Sequence, residues 1–203
     1  MAFPFLGLFL ILIFIIAYFR RKGTAMQKQA EDQFWAREHE ANLVRRKDLS
    51  DLPYITIPLS DFPIGKFSDE ELQADEKQLQ SLSEAKIVNF KNQSNTDLKL
   101  QYGPANLPAL TEYDDNFAQL ASLIVSYANR LIQLGHETDA IPVLEFGVDC
   151  ATDVSTNYTK LAEIYQHSGN SEALNLLIEK ASGLESIMKQ PILDKLHQIA
   201  GTN

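Results

Sequence analysis

Hydrophobic and polar positions divide the chain into four regimes. Residues 3–19 read FPFLGLFLILIFIIAYF and hold no charged or strongly polar side chain. As a helix, that run would extend roughly 25 Å, close to the thickness of a thin hydrocarbon core. Tyr18 and Phe19 fall where interfacial aromatics belong, and Arg20, Arg21 and Lys22 follow at once. A secretory signal would need a basic segment ahead of the run, which is missing, and a small-residue cleavage site close behind it, whereas Gly23-Thr24-Ala25 is separated from the run by three basic residues. The expectation is a retained transmembrane anchor over residues 1–23. The lipid bilayer is the partner of residues 3–19.

Residues 24–47 contain no proline and no glycine and are rich in Ala, Gln, Glu, Lys and Arg. Such a composition predicts a juxtamembrane helix continuing out of the anchor. Its bulky apolar residues are Phe34, Trp35 and Leu43, too irregular for a coiled coil. A surface helix docking through Trp35 and a helix that dimerises are both open.

The third regime, 48–67, reads DLSDLPYITIPLSDFPIGKF, with Pro53, Pro58 and Pro63 at five-residue spacing. A central strand cannot hold so many residues without a backbone donor. This predicts an extended segment whose apolar side chains pack on helices while its backbone stays at the surface.

Helical periodicity governs the remainder. Residues 68–110 form a helical and irregular connecting region. Ser68 is expected to cap a helix, with Glu71 completing a capping box and Leu72, Leu79 and Leu82 on one side. A short helix is expected over 94–103, capped by Asn95 or Thr96 and stopped by Gly103, with Pro104 and Pro108 marking a loop. Residues 111–203 are predicted to be helical throughout.

Comparing this last part with itself exposes a 34-residue period. Ile124 falls on Tyr158, Tyr127 on Leu161, Ala128 on Ala162, Leu131 on Tyr165 and Gly135 on Gly169. After the glycine the match slips by one, Ala140 meeting Ala173. Spacings of three and four put Ile124, Tyr127, Ala128 and Leu131 on one helix face. Gly135 and Gly169 supply a left-handed residue just past a helix end. A second helix then starts two or three residues on, capped in the second case by Asn170 or Ser171. Each unit is a helical hairpin, which cannot bury its own face and must stack on another. The stretch YQHSGNSEAL, residues 165–174, is therefore a turn and not a His-Ser catalytic pair.

These positions, Tyr127-Ala128…Leu131…Gly135…Ala140 and Leu161-Ala162…Tyr165…Gly169…Ala173, resemble the tetratricopeptide (TPR) family. The resemblance covers about residues 118–184. The chain departs from the family pattern in that one-residue slip, in Pro142 within the second helix, and in lacking a proline that closes each repeat. The resemblance implies an all-α fold of stacked antiparallel hairpins. It also implies a groove lined by Ser126, Asn129, Gln133, Thr159, Lys160, Glu163 and His167, where an unknown protein or peptide would bind. The whole chain is also similar to a group of uncharacterised membrane-anchored bacterial proteins, through Ala41-Asn42 to Pro58 and Thr96-Asp97-Leu98-Lys99-Leu100 with Tyr102-Gly103. That likeness implies placement at a membrane and no activity.

Charge sharpens the placement. Residues 20–47 carry a net charge of +4, residues 48–103 of −5, and residues 104–203 of −8. An acidic body lacks the basic footprint that nucleic acid requires, so no nucleic-acid partner is expected. Basic residues on the C-terminal side of the apolar run put that side in the cytoplasm and the N-terminus outside. The sequons at Asn92 and Asn157 would then never meet a glycosylation machinery.

Candidate chemistry is sparse. Glu38-His39-Glu40 lacks a second histidine four residues after the first, which a helical zinc site needs. His136 and His197 are expected at helix C-termini, and Asp114-Asp115 near a helix start. Cys150, the single cysteine, has no visible device to lower its pKa. There is no Gly-rich phosphate loop and no G-x-S-x-G turn. No catalytic residue, metal site or cofactor is expected. The leading reading is a membrane-anchored, non-enzymatic interaction module. A structural subunit of a cell-envelope assembly is the alternative, and an enzyme with an unrecognised site comes third.

Overall fold

The computed structural model describes residues 4–91 and 93–201, with the side chains of residues 4–11, 21 and 25 outside the description. Phe3, the apolar side chains of residues 4–11 and the sequon residue Asn92 thus lie outside the described residues. All regular structure among the described residues is helical: α1 (Pro4–Leu43), α2 (Glu70–Ser83), α3 (Asn95–Tyr102), a 3-10 turn (Pro104–Asn106), α4 (Leu107–Gln133), α5 (Glu137–Asp149), α6 (Ser155–His167), α7 (Ser171–Ser182) and α8 (Lys189–Ala200). The all-α class follows. Among the described residues no helix is long and apolar enough to cross a membrane.

The chain forms two units, residues 1–47 with 94–107, and residues 48–93 with 108–203. The connecting region expected over 68–110 is therefore divided between them.

In the first unit, α1 runs unbroken through the basic segment, as its composition predicts. Trp35 does not dock α1 onto this chain: its side chain is exposed and meets Phe34 edge-on at 5.3 Å between ring centres. The docking residue is Ala41, fully buried where α3 packs on α1. Glu38 accepts from the Thr96 hydroxyl at 2.8 Å and pairs with Lys99. The Lys99 and Thr96 donors hold its carboxyl below the usual range.

The α3 cap is Ser94, not Asn95 or Thr96. Ser94 accepts from the Asp97 N–H, and the Asp97 carboxylate accepts from the Ser94 N–H. α1 ends at Leu43, four residues short of the expected 47, with no proline or glycine to stop it. Residues 44–47 are drawn off to pair with the far turn. The Lys47 N–H donates to Tyr102 O at 3.0 Å, and the Asn106 amide donates to Lys47 O and Tyr102 O, each at 2.8 Å. Gly103 permits this approach: it adopts φ 88°, and a Cβ there would lie 2.6 Å from the Arg45 carbonyl oxygen. Pro108 is not in a loop. It sits in the first turn of α4, where a missing N–H costs nothing.

The second unit is built on two hairpins of one design. In the first, the Gly135 N–H donates to Ile132 O at 2.9 Å and the His136 N–H to Leu131 O at 2.8 Å. In the second, the Gly169 N–H donates to Gln166 O at 3.1 Å and the Asn170 N–H to Tyr165 O at 2.9 Å. Every donor and acceptor recurs 34 residues on, and both glycines are left-handed, at φ 82° and 70°. This bond pattern is that of a helix closed by a left-handed residue. Asn170 caps α7 by accepting from the Ala173 N–H at 3.1 Å.

The one-residue slip after the glycine does not occur. α5 and α7 start at 137 and 171, again 34 apart. Ala140 corresponds to Leu174, Val143 to Leu177 and Gly147 to Ala181, and all six are buried. The period runs further than the sequence match. α6 and α8 start at 155 and 189, and buried Tyr158 and Ala162 correspond to buried Ile192 and Leu196.

One core joins these helices to α2 and to the proline segment. Ile124, Tyr127, Ala128 and Leu131 are fully buried, as the spacing requires. Leu52, Ile57 and Phe62 of the proline segment are buried, and Ile55, Leu59, Ile64 and Phe67 pack on the core. Residues 53–58 of the segment carry no turn, and residues 59–67 are a chain of turns and bends. Phe62 meets Phe146 at 5.6 Å, Phe67 stacks on His136 at 3.9 Å, and Lys66 pairs with Asp139 at 2.7 Å.

Candidate functional site

Ser126, Asn129 and Gln133 lie one helical turn apart on α4, with Arg130 among them. Facing them across a cleft of about 360 Å³ are Glu71, Ala74 and Asp75 of α2. α2 begins there because Asp69, not Ser68, is its cap. The Asp69 carboxylate accepts from the Leu72 N–H at 3.1 Å. It also takes a two-point contact from the Arg130 guanidinium, at 3.0 and 2.7 Å. Arg130, and then the Leu72 amide, hold Asp69 down to about 2. Arg130 also meets Glu71 at 3.2 Å.

Beside the cleft, Glu76 is buried yet satisfied. One carboxylate oxygen accepts from the Tyr127 hydroxyl at 2.9 Å and from the Gly65 N–H at 3.0 Å. Burial, and then Glu76, push the Tyr127 hydroxyl well above its ordinary pKa, so Tyr127 stays a donor. The cleft is thus a fixed polar surface with spare donors and acceptors on Ser126, Asn129 and Gln133.

The other four groove residues are on α6, outside that cleft. Lys160 pairs with Glu163 at 2.8 Å along the helix, and the Thr159 hydroxyl donates to Thr156 O at 3.4 Å. His167 is exposed in the last turn. The reading of one shared concave face therefore resolves into two places. α2 faces the α4 positions, and the sequence period gave no hint that a helix outside the repeats would do so.

Cys150 ends α5, and burial, with Asp149 beside it, pushes its thiol up to about 12, the opposite of an activated nucleophile. His136 closes the C-terminus of α4 through its N–H to Leu131 O and is also the N-cap of α5, with its ring on Phe67. His197 is in the last turn of α8, as expected. Asp114 lies two turns inside α4 because that helix begins at Leu107. Burial raises its pKa, against a hydrogen bond from the Phe90 N–H. Among the described residues no three His, Cys, Asp or Glu side chains are grouped to hold a metal ion.

Sequence reasoning missed a larger cleft, of about 400 Å³, lined by Asn89–Lys91, Gln93, Asp114, Phe117, Ala118, Ala121, Ser122, Ala151, Asp153, Val154 and Gly183–Ser186. Two non-glycine residues on its wall, Lys91 and Ala151, have positive φ, at 45° and 53°. The Asn89 amide steadies that wall, donating to Cys150 O at 3.1 Å and to Ala151 O at 3.2 Å. Four separate stretches of chain meet here, so no local pattern could have marked it.

No family model, curated protein or solved structure matches the chain.

Proposed function

We propose that this chain is a membrane-anchored, non-enzymatic interaction module, a TPR-like body that holds a protein or peptide at the cytoplasmic face of the cell membrane. The observation that carries the module reading is the 34-residue recurrence of helix starts and turn hydrogen bonds. Stacked hairpins of this kind present extended side-chain rows to partners. The α4 cleft, with Ser126, Asn129 and Gln133, and the α6 face, with Thr159, Lys160, Glu163 and His167, are its two contact surfaces.

The anchor reading rests on the sequence of residues 3–19 and on one further fact. Every described side chain from residue 12 to 19 is exposed, including Phe14, Tyr18 and Phe19. A run of that apolarity needs a nonaqueous neighbour. The basic residues behind it orient a single pass with the N-terminus outside. Protease accessibility on intact cells tests the topology: digestion of the helical body from outside overturns it. Asn157 offers no independent test, since its side chain is fully buried and its amide donates to Leu144 O.

A pull-down from solubilised membranes tests the contact surfaces. Alanine at Asn129, Lys160 and Glu163 should reduce partner recovery severalfold, and unchanged recovery refutes the assignment. Exposed Phe34 and Trp35 favour a second reading, a fixed subunit of an envelope assembly that docks through α1. A chain truncated before residue 24 should be monomeric under the first reading and self-associate under the second.

A further inference from the structure

The larger cleft lies on a different part of the second unit from the surfaces assigned above, and its chemistry is more specific. Its floor is apolar, made by Phe117 and Ala121 of α4 with Val154 and Leu184. Its rim carries Asp114, Asp153 and Glu185, and among the described lining residues Lys91 is the one cation. The lining therefore has an excess of two negative charges, within a C-terminal body whose net charge is −8.

Asp153 is fixed in place, and both aspartates still have acceptor capacity. Asp153 accepts from the Ser186 hydroxyl at 2.8 Å, which ties the α5–α6 turn to the α7–α8 loop. Asp114 has the Phe90 N–H beside it. A carboxylate has about four acceptor positions, so each can take at least one more donor. Immediately beyond the rim, Ile187 is 93% exposed, the most exposed large apolar residue described in this unit.

The geometry points to this cleft as a docking site for a short cationic segment of a partner protein, one Lys or Arg flanked by apolar residues. A long basic side chain matches both layers: its aliphatic stem lies on Phe117, Ala121 and Val154, and its head reaches Asp114 and Asp153. The flanking apolar residues meet Leu184 and Ile187. A cavity of this size takes one or two side chains and not a folded surface, so the occupant is a peptide-like segment. The inference rests on the interaction-module reading but uses none of the α4 cleft or α6 residues.

The test uses the full chain in nanodiscs of neutral lipid. The probe is a fluorescein-labelled nonapeptide of Ala and Leu around one central Arg. The control has Glu in place of that Arg, and empty discs give the background. The basic peptide should bind above background and the acidic one should not. Asp114→Asn with Asp153→Asn, which keeps both acceptors, should weaken binding about tenfold, two exposed ion pairs' worth. Ser122→Trp, which fills the cleft from an exposed position, should abolish it. Equal affinity in the double variant, equal binding of the acidic peptide, or no binding up to about 1 mM overturns the proposal. A Ser122→Trp chain that fails to fold leaves the double variant to decide. Alanine at Asn129, Lys160 and Glu163 should leave this affinity unchanged, so the two assignments fail separately.

Discussion

Gly147→Ala sets local helix propensity against tertiary packing, and the structure decides the sign. In an isolated helix the change should stabilise by about 1 kcal/mol, because glycine gives up the most backbone freedom. Gly147, however, is buried in α5 where α6 crosses it. A Cβ there would lie 2.5 Å from Asn157 Oδ1, 2.8 Å from Nδ2 and 2.9 Å from Cγ. The first of these is about 0.8 Å inside ordinary van der Waals contact. Asn157 has nowhere to retreat: it is fully buried, and its amide donates to Leu144 O at 3.0 Å. Its Oδ1 has no hydrogen-bond partner among the described residues.

Overpacking at such a point costs about 1–3 kcal/mol. Displacing Asn157 from the Leu144 carbonyl adds about 1 kcal/mol. Against the helical gain, the net expectation is a loss of about 1–3 kcal/mol, with the unfolding midpoint lower by several degrees. Equilibrium urea unfolding followed by circular dichroism reads it directly. Asn157→Ser, which withdraws the clashing atoms, should be partly rescued by Gly147→Ala, so the two changes should be strongly non-additive. If Gly147→Ala stabilises the chain, or the two effects simply add, the close-approach argument is refuted.

Three further outcomes are expected. Asp69 has its pKa depressed in the fold, so its stabilising contribution is full above the usual carboxylate value, near 4, and is lost as the pH falls toward about 2; Asp69→Asn, which still caps α2, should flatten the urea midpoint between those limits, and an unchanged acid limb would show that the Arg130 contact carries no stability. Cys150, with its thiol near 12, should react with iodoacetamide at pH 7.5 roughly a hundredfold or more slower in the folded chain than in urea, and comparable rates would contradict its burial. Gly103→Ala faces both φ 88° and a backbone oxygen 2.6 Å from the new Cβ. It should cost about 2 kcal/mol or more and expose residues 94–107 to amide exchange while α4–α8 stay protected.

What was legible in the sequence was local. Gly135 and Gly169 were recognisable as hairpin turns because a left-handed residue past a helix end is a demand that one residue meets. The buried face of Ile124, Tyr127, Ala128 and Leu131 was legible because 3.6-residue spacing sets it. The apparent slip at Ala140 and Ala173 came from matching residue type. The structure aligns position instead, so that small Ala140 and larger Leu174 occupy corresponding buried sites.

The end of α1, the choice of Asp69 as a cap and both clefts depended on residues far apart in the chain. Lys47 pairs with Tyr102, Asp69 with Arg130 and Asn89 with Cys150, each across more than fifty residues. Where two caps or two helix ends are nearly equal in local free energy, about 1 kcal/mol from a distant partner selects between them. The sequence by itself therefore determined the helices, the turns and the period. The tertiary structure decided where helices stop, which polar groups meet, and where a partner finds room, because those depend on contacts that no local pattern encodes.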